Sequence, residues 1–171
     1  MRLVVFRKRP IKKGKQKEIK MEVVKYGIGK DEDIKELEEK TQMKLPEDYK
    51  EFLRQTNGGD MKNRNNYLKF EGIKEKIIVT HFFGVTEQIP EVTYYRLLYF
   101  YEKWRGKFFE GMLPIAYTFG GHCVIIFYQD EEEEGYYLLD WDLFHKESTP
   151  THYLYKIADT FEELLNNIVE K

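Results

Sequence analysis

Two apolar runs joined by an acidic loop constrain the fold of this chain more than any other feature. The first run, Cys123–Tyr128, is entirely apolar or aromatic and contains β-branched residues, as is typical of a strand buried on both faces. Five acids follow at Asp130–Glu134, and after Gly135 a second apolar run extends over Tyr136–Trp141. Because carboxylates are costly to bury, the loop must lie at the surface. The pattern predicts an antiparallel hairpin at the centre of a sheet.

Shorter apolar or alternating runs predict further strands around this hairpin. An apolar run at Leu113–Ala116 precedes it, and Gly120-Gly121 provides a turn between the two. The remaining strands are predicted at Leu3–Phe6, Ile19–Lys25, Tyr67–Phe70, Lys76–Phe83 and His152–Ile157.

Four helices are predicted from apolar periodicity and terminal signals. The first covers Asp31–Lys40 and begins with a capping-box-like pair, Asp33 and Glu36. The second opens at Leu45-Pro46-Glu47-Asp48 and ends at Asn57-Gly58-Gly59, which favours a left-handed stop. Its apolar stripe is Tyr49, Phe52 and Leu53, and the stripe of the last helix is Phe161, Leu164, Leu165 and Ile168. The last helix begins with a capping box formed by Thr160 and Glu163.

The third predicted helix, Glu91–Arg105, has two contrasting sides. Its core stripe is predicted to be Leu97, Tyr101, Trp104 and Phe108. Tyr95 and Tyr99 fall on the opposite side, with Arg96, Glu102 and Lys103. That side is either a second buried face or a tyrosine-rich contact patch for a partner.

Length and composition predict one globular domain in a reducing compartment. A chain of 171 residues with 42% hydrophobic and 34% charged residues is long and apolar enough for a single core. The formal net charge of −2 favours neither a nucleic-acid binder nor an acidic tail. One cysteine precludes an internal disulfide and fits the cytoplasm, and no apolar run has the length of a membrane span.

The segment Arg7–Lys17 between the first two predicted strands is strongly basic. Over Arg7–Lys20 the only acid is Glu18, so that the segment carries a net charge of +7. One interpretation is a solvated hairpin loop, and the other is a phosphate-binding surface. No aromatic side chain lies among these lysines to stack on bases.

No residue pattern in this chain predicts catalysis, a cofactor or a metal. Cys123 and His122 are adjacent on a strand and therefore point to opposite faces, and Cys123 is interpreted as a core residue. His81, His122, His145 and His152 have no metal-ligand spacing. Asp140 and Asp142 are predicted to share one strand face, where they hold Mg²⁺, act in acid–base chemistry or mark the solvent side at the end of the strand. The chain is therefore predicted not to be an enzyme.

Four motifs in the expected order resemble the SUKH superfamily, whose members include bacterial toxin-immunity proteins and a yeast regulator of cell-wall synthesis. The motifs are Leu45–Asp60 (LPEDYKEFLRQTNGGD), Phe82-Phe83-Gly84, Leu113–Ala116 with Gly120-Gly121, and Ala158–Leu165. The chain departs from the family pattern at Met112 and His122, where tryptophan and asparagine or aspartate are common. The resemblance implies an α+β domain at 28–171 with a mostly antiparallel central sheet and helices packed around it. Residues 1–27 are then an N-terminal basic β-hairpin extension.

The resemblance also implies a protein that works by binding. The expected role is an immunity protein that occludes a cognate toxin, expected to be a nuclease, and the alternatives are a cell-wall-type regulatory scaffold and a nucleic-acid binder. No membrane partner is expected. The candidate partner interface combines acids and tyrosines: Asp130, Glu131, Glu132, Glu133, Glu134, Tyr95, Tyr99, Asp140 and Asp142.

Overall fold

The structure is a computed structural model of the chain. It describes residues 3–6, 21–69, 76–86, 96–107, 110–120, 123–130, 132–144 and 153–170. Several predicted features lie outside these ranges, namely the basic loop Arg7–Lys17, Tyr95, Phe108, His122, Glu131, His145 and His152. Within the described ranges, no helix has both the length and the apolar character needed to cross a bilayer.

The described strands form one antiparallel sheet. Their bounds are β1 (Leu3–Phe6), β2 (Met21–Lys25), β3 (Gly59–Met61), β4 (Asn66–Leu68), β5 (Ile77–Phe82), β6 (Met112–Thr118), β7 (Cys123–Gln129), β8 (Glu134–Asp140), β9 (Leu154–Ala158) and β10 (Ile168–Glu170). The order along the sheet is β1-β2-β3-β5-β6-β7-β8-β9, while β4 pairs with β5 and β10 pairs with β4. With the helices around it, this sheet confirms the predicted α+β class.

The predicted hairpin is confirmed as the pairing of β7 with β8. Its register runs from Cys123 opposite Asp140 to Gln129 opposite Glu134. Alternate residues of each strand, such as the paired Phe127 and Tyr136, enter the larger core, and the residues between them, such as Ile126 and Tyr137, enter a second cluster on the opposite face. Both faces are therefore covered, which explains the unbroken apolar runs in the sequence.

The described helices are α1 (Asp31–Thr41), α2 (Glu47–Thr56), α3 (Leu97–Trp104), α4 (Trp141–Phe144) and α5 (Phe161–Asn167). The capping box predicted at Asp33 is wrong, because α1 begins two residues earlier and has no side-chain cap. Instead, the backbone N–H of Lys30, which precedes α1, donates to Thr86 Oγ1 (3.0 Å). The predicted cap of α5 is confirmed, since Thr160 Oγ1 accepts from the N–H of Glu163 (3.1 Å). Ile168 lies in β10, just after α5 and not in it.

An aromatic cluster joins α2 and α5 to the sheet. The ring of Phe161 lies 4.8 Å from that of Tyr49 and 4.9 Å from that of Phe52, and Phe52 contacts Phe82 at 5.1 Å, centre to centre. Asp48 links the same two helices, because its Oδ2 accepts from the N–H of Phe161 (2.9 Å). Each buried ring contributes roughly 1.5–3 kcal/mol, so this cluster makes the predicted apolar stripe of α2 part of the main core.

Asn57 joins the end of α2 to the segment that follows β5. It adopts the left-handed conformation (φ 50°) as the C-cap of α2 and is 2% exposed. Its Oδ1 accepts from the N–H groups of Val85 and Thr86 (both 2.8 Å), and its Nδ2 donates to Thr86 O (2.9 Å). Gly84 permits this approach, because a Cβ there would lie 2.3 Å from Asn57 O. The Asn-Gly-Gly stop therefore also fixes tertiary structure.

Candidate partner-binding surface

Two tyrosines hold the carboxylates of the β7–β8 loop. Asp130, Glu132, Glu133 and Glu134, here called the acidic tip, are all exposed. The hydroxyl of Tyr128 donates to Asp130 Oδ2 (2.7 Å) and that of Tyr137 donates to Glu133 Oε2 (2.6 Å). Asp130 Oδ1 also accepts from the backbone N–H groups of Glu132 and Glu133. The negative charges thus occupy defined positions before any partner arrives.

These hydrogen bonds alter the acid–base properties of the tip. The Tyr128 hydroxyl, followed by the two backbone N–H groups, lowers the pKa of Asp130 below its ordinary value. The same bond from the side of the phenol raises the pKa of Tyr128 to about 12. Burial, followed by the bond to Glu133, raises the pKa of Tyr137. Asp130 is therefore ionised, and the phenols of Tyr128 and Tyr137 are protonated, throughout the neutral range.

Gln129 fastens the acidic tip to the segment between α1 and α2. Its side-chain amide accepts from the N–H of Lys44 (2.9 Å) and donates to Lys44 O (3.2 Å) and to Glu134 Oε2 (2.8 Å). Gly111 also lies so close to Gln129 that a Cβ there would be 2.0 Å from Gln129 O. With contacts to both segments, the tip is a supported projection of the fold.

The predicted interface residues do not form one patch. Asp140 lies at the opposite end of β8 from Glu134, six residues away, which is about 20 Å along an extended strand. Tyr99 is exposed (40%), as one of the two interpretations predicts, but it lies on α3 beside Phe100, which lines a groove at that far end together with Trp141. The candidate interface therefore divides into the acidic tip and a group at the other end of the hairpin.

The prediction that Asp140 and Asp142 share a strand face is wrong. Strand β8 ends at Asp140, and Asp142 lies in helix α4. Asp140 Oδ1 accepts from the N–H of Leu143 (3.0 Å), so that this carboxylate supports the first turn of α4.

Other residues considered for chemistry occupy core positions. Cys123 is buried (6% exposed), as predicted. His81 is also buried, and burial, opposed by Asp60, lowers its pKa to about 4, so that its ring is neutral at ordinary pH. Among the residues that the structure describes, no three side chains of His, Cys, Asp or Glu are grouped as metal ligands.

The sequence does not indicate the roles of three aromatic residues near the candidate surface. Tyr128 and Tyr137 were assigned only to strands, although their hydroxyl groups organise the acidic tip. Trp104 was assigned to a core stripe, whereas it is only partly buried, like Tyr101 of the same stripe, and it contacts Trp141. A tyrosine next to an acidic loop is a usable sequence signal for such a hydrogen bond. No sequence signal indicates that tryptophans from two separate helices meet.

An antiparallel sheet with helices packed around it and a supported acidic projection define a small α+β domain. A model of the SMI1 / KNR4 family (SUKH-1) matches residues 29–167. The chain therefore belongs to this family, which confirms the resemblance seen in its four motifs. Neither a curated protein nor a solved structure is matched significantly by the chain.

Proposed function

We propose that this protein is a cytoplasmic immunity protein, which neutralises a cognate nuclease toxin by stoichiometric binding. Membership of the SUKH-1 family supports a protein partner, and the resemblance to the SUKH superfamily implies toxin immunity. The observation that carries the choice of a nuclease is the acidic tip, in which hydrogen bonds hold the carboxylates of Asp130 and Glu133 in place.

Electrostatic occlusion is the mechanism that this geometry suits. A nuclease binds phosphates through a basic surface, and an acidic projection competes for the same surface. Because the carboxylates are already positioned, little conformational entropy is lost on binding. The concentrated negative charge also attracts a cationic partner over roughly a Debye length, about 8 Å at physiological salt, and raises the association rate. Inhibition then requires one copy of this protein per toxin.

The direct test is co-expression with the product of a toxin-like gene next to the one that encodes this chain. We expect a 1:1 complex by size-exclusion chromatography with light scattering, and loss of nuclease activity at equimolar ratio. A neighbouring toxin that stays fully active and elutes alone would refute the proposal. A complex that forms without loss of activity would also contradict occlusion.

The acidic tip is tested separately by Glu132→Lys. This position is suitable because the carboxylates of Asp130, Glu133 and Glu134 accept hydrogen bonds that hold the loop, whereas Glu132 contributes its backbone N–H. We expect the association rate to fall about threefold to tenfold, with a weaker dependence on salt.

The matched control is Glu32→Lys, an equal change of charge at an exposed position in the first turn of α1. It should leave the association rate nearly unchanged. Equal effects of the two variants would indicate that net charge, and not the acidic tip, governs association.

A further inference from the structure

The last strand of the sheet has an open edge. Within the described ranges, β9 pairs with β8 alone, so that its other edge has no neighbouring strand there. The N–H of Asp140 donates to Tyr153 O (2.8 Å), which shows that the backbone groups of Tyr153 point toward β8. Because these groups alternate in direction along a strand, those of Leu154 and Lys156 point away from β8. An N–H and a C=O from each of the two residues therefore lie along the open edge.

The open part of the edge is short and has apolar surface beside it. Ile157 O accepts from Asn167 Nδ2 of α5 (2.8 Å), so the edge is open from Leu154 to Lys156. Leu154 and Tyr155 are both half-buried, and they pack on opposite faces of the sheet. A strand added at this edge therefore meets apolar side chains on both of its faces.

The lysine on this edge leaves it accessible. Lysines on edge strands commonly keep other strands away, because an added strand would bury their charge. The side chain of Lys156 instead turns back over β8, where its Cε lies 3.0 Å from the position of a Cβ built on Gly135. Its ammonium is 5.8 Å from the centre of the Tyr137 ring and 2.8 Å from Asp159 Oδ1. The room left by Gly135 thus keeps this charge on the face of the sheet and away from the open edge.

Negative charge surrounds the end of β9 that lies nearest the acidic tip. The hydrogen bond with Asp159 raises the pKa of Lys156 most, partial burial opposes it, and the charges of Asp159, Glu133 and Glu163 raise it further. Glu133 belongs to the acidic tip, and Glu163 lies in the first turn of α5. One ammonium is therefore close to three carboxylates, and the excess of negative charge favours a cationic partner over an acidic one.

We propose that the open edge of β9 binds an extended, basic segment of a protein partner by strand addition. The segment forms hydrogen bonds with the outward backbone groups of Leu154 and Lys156. Neighbouring strands are about 4.8 Å apart, so the added strand lies about 10 Å from β8, and long basic side chains near its end extend toward Asp159 and the acidic tip. This inference deepens the proposed function and rests on it for the identity of the partner, since the nuclease would supply the segment.

Amide hydrogen exchange followed by NMR tests the hydrogen bonds directly. The probe is an acetylated and amidated peptide in which a Val-Thr-Val-Thr segment is flanked by two arginines at each end. In the free protein, the amides of Leu154 and Lys156 should exchange fast, and that of Tyr155, which points toward β8, should exchange slowly. Peptide at ten times its Kd should slow exchange at Leu154 and Lys156 about tenfold. Unchanged exchange at both amides in millimolar peptide would overturn the proposal.

Lys156→Pro and Lys156→Ala form a matched pair of variants. Both remove the ammonium, but only proline also removes the outward N–H, which β8 does not use. We expect Lys156→Ala to bind the peptide at least as tightly as the natural chain, because the carboxylates lose their internal cation, and Lys156→Pro to bind it about tenfold more weakly than Lys156→Ala. If Lys156→Pro does not fold, as judged by its melting curve, Leu154→Pro and Leu154→Ala provide the same comparison. Equal affinity within a folded pair would contradict strand addition.

A second peptide, with glutamates in place of the arginines, tests the preference for charge. It should bind about tenfold more weakly than the basic peptide, and added salt should reduce the difference. Equal binding of the two peptides at low salt would refute a basic segment. The proposed function is judged separately, by the toxin. A toxin that binds Lys156→Pro and Lys156→Ala equally tightly would leave toxin immunity in place but would rule out strand addition at β9.

Discussion

Replacing Asn57 with alanine should lower the free energy of unfolding by about 4 kcal/mol, because one buried side chain makes three hydrogen bonds in a left-handed backbone conformation. The substitution removes the acceptor of the Val85 and Thr86 N–H groups and the donor to Thr86 O. Each buried group left without a partner costs about 1–3 kcal/mol. Alanine at a φ of 50° adds about 1 kcal/mol of backbone strain. Partial relaxation and entry of water bring the expected total to about 4 kcal/mol.

Two further variants separate these contributions. Asn57→Gly removes the same hydrogen bonds but tolerates the left-handed backbone, so it should be about 1 kcal/mol milder than Asn57→Ala. Asn167→Ala removes a single side-chain bond, from Nδ2 to Ile157 O, in a partly buried position and should cost about 1 kcal/mol.

Urea unfolding at equilibrium, followed by far-UV circular dichroism, measures all three variants. An Asn57→Ala cost below about 1.5 kcal/mol would refute the reasoning, because it would mean that the N–H groups of Val85 and Thr86 lose little when their acceptor is removed.

Three other predictions concern single groups. The hydroxyl of Tyr49 is buried without a hydrogen-bond partner among the described residues. Tyr49→Phe should therefore leave the free energy of unfolding, measured in urea, unchanged or raise it by about 1 kcal/mol. A clear loss of stability would show that the hydroxyl has a partner. The pKa of His81 is about 4 in the folded protein against 6.5 ordinarily. As the pH falls, His81 therefore binds a proton in the unfolded chain before it does so in the folded protein. Stability should therefore fall by up to about 3 kcal/mol as the pH drops from 6.5 to 4, and this loss should shrink in His81→Phe; an unchanged pH dependence would contradict it. Tyr128→Phe should raise the pKa of Asp130 toward its ordinary value, measured by NMR titration of its carboxyl carbon, and no shift would mean that the Tyr128 bond does not form in solution.

Local sequence signals predicted most of the elements. The apolar runs of β7 and β8, the stripe of α2 and the Thr160 cap of α5 depend on neighbours within a few residues, and all three were identified correctly. The start of α1 at Asp31 was also predicted correctly, but its capping box was not, because the N–H of Lys30, just before the helix, donates to Thr86, which lies 56 residues away. A capping pattern reports only local acceptors and cannot register such a distant one.

The chain by itself determined that residues 130–134 lie at the surface, because five consecutive acids cannot be buried at acceptable cost. Only the tertiary structure showed that Asp130 and Glu133 are held by Tyr128 and Tyr137, and that Asp140 starts a helix instead of extending a strand. The contact between Trp104 and Trp141 also depends on the tertiary structure, since the two tryptophans come from helices far apart in the chain. Periodicity shows that a helix has an apolar side, but how much of that side is covered depends on elements that the helix meets only after folding.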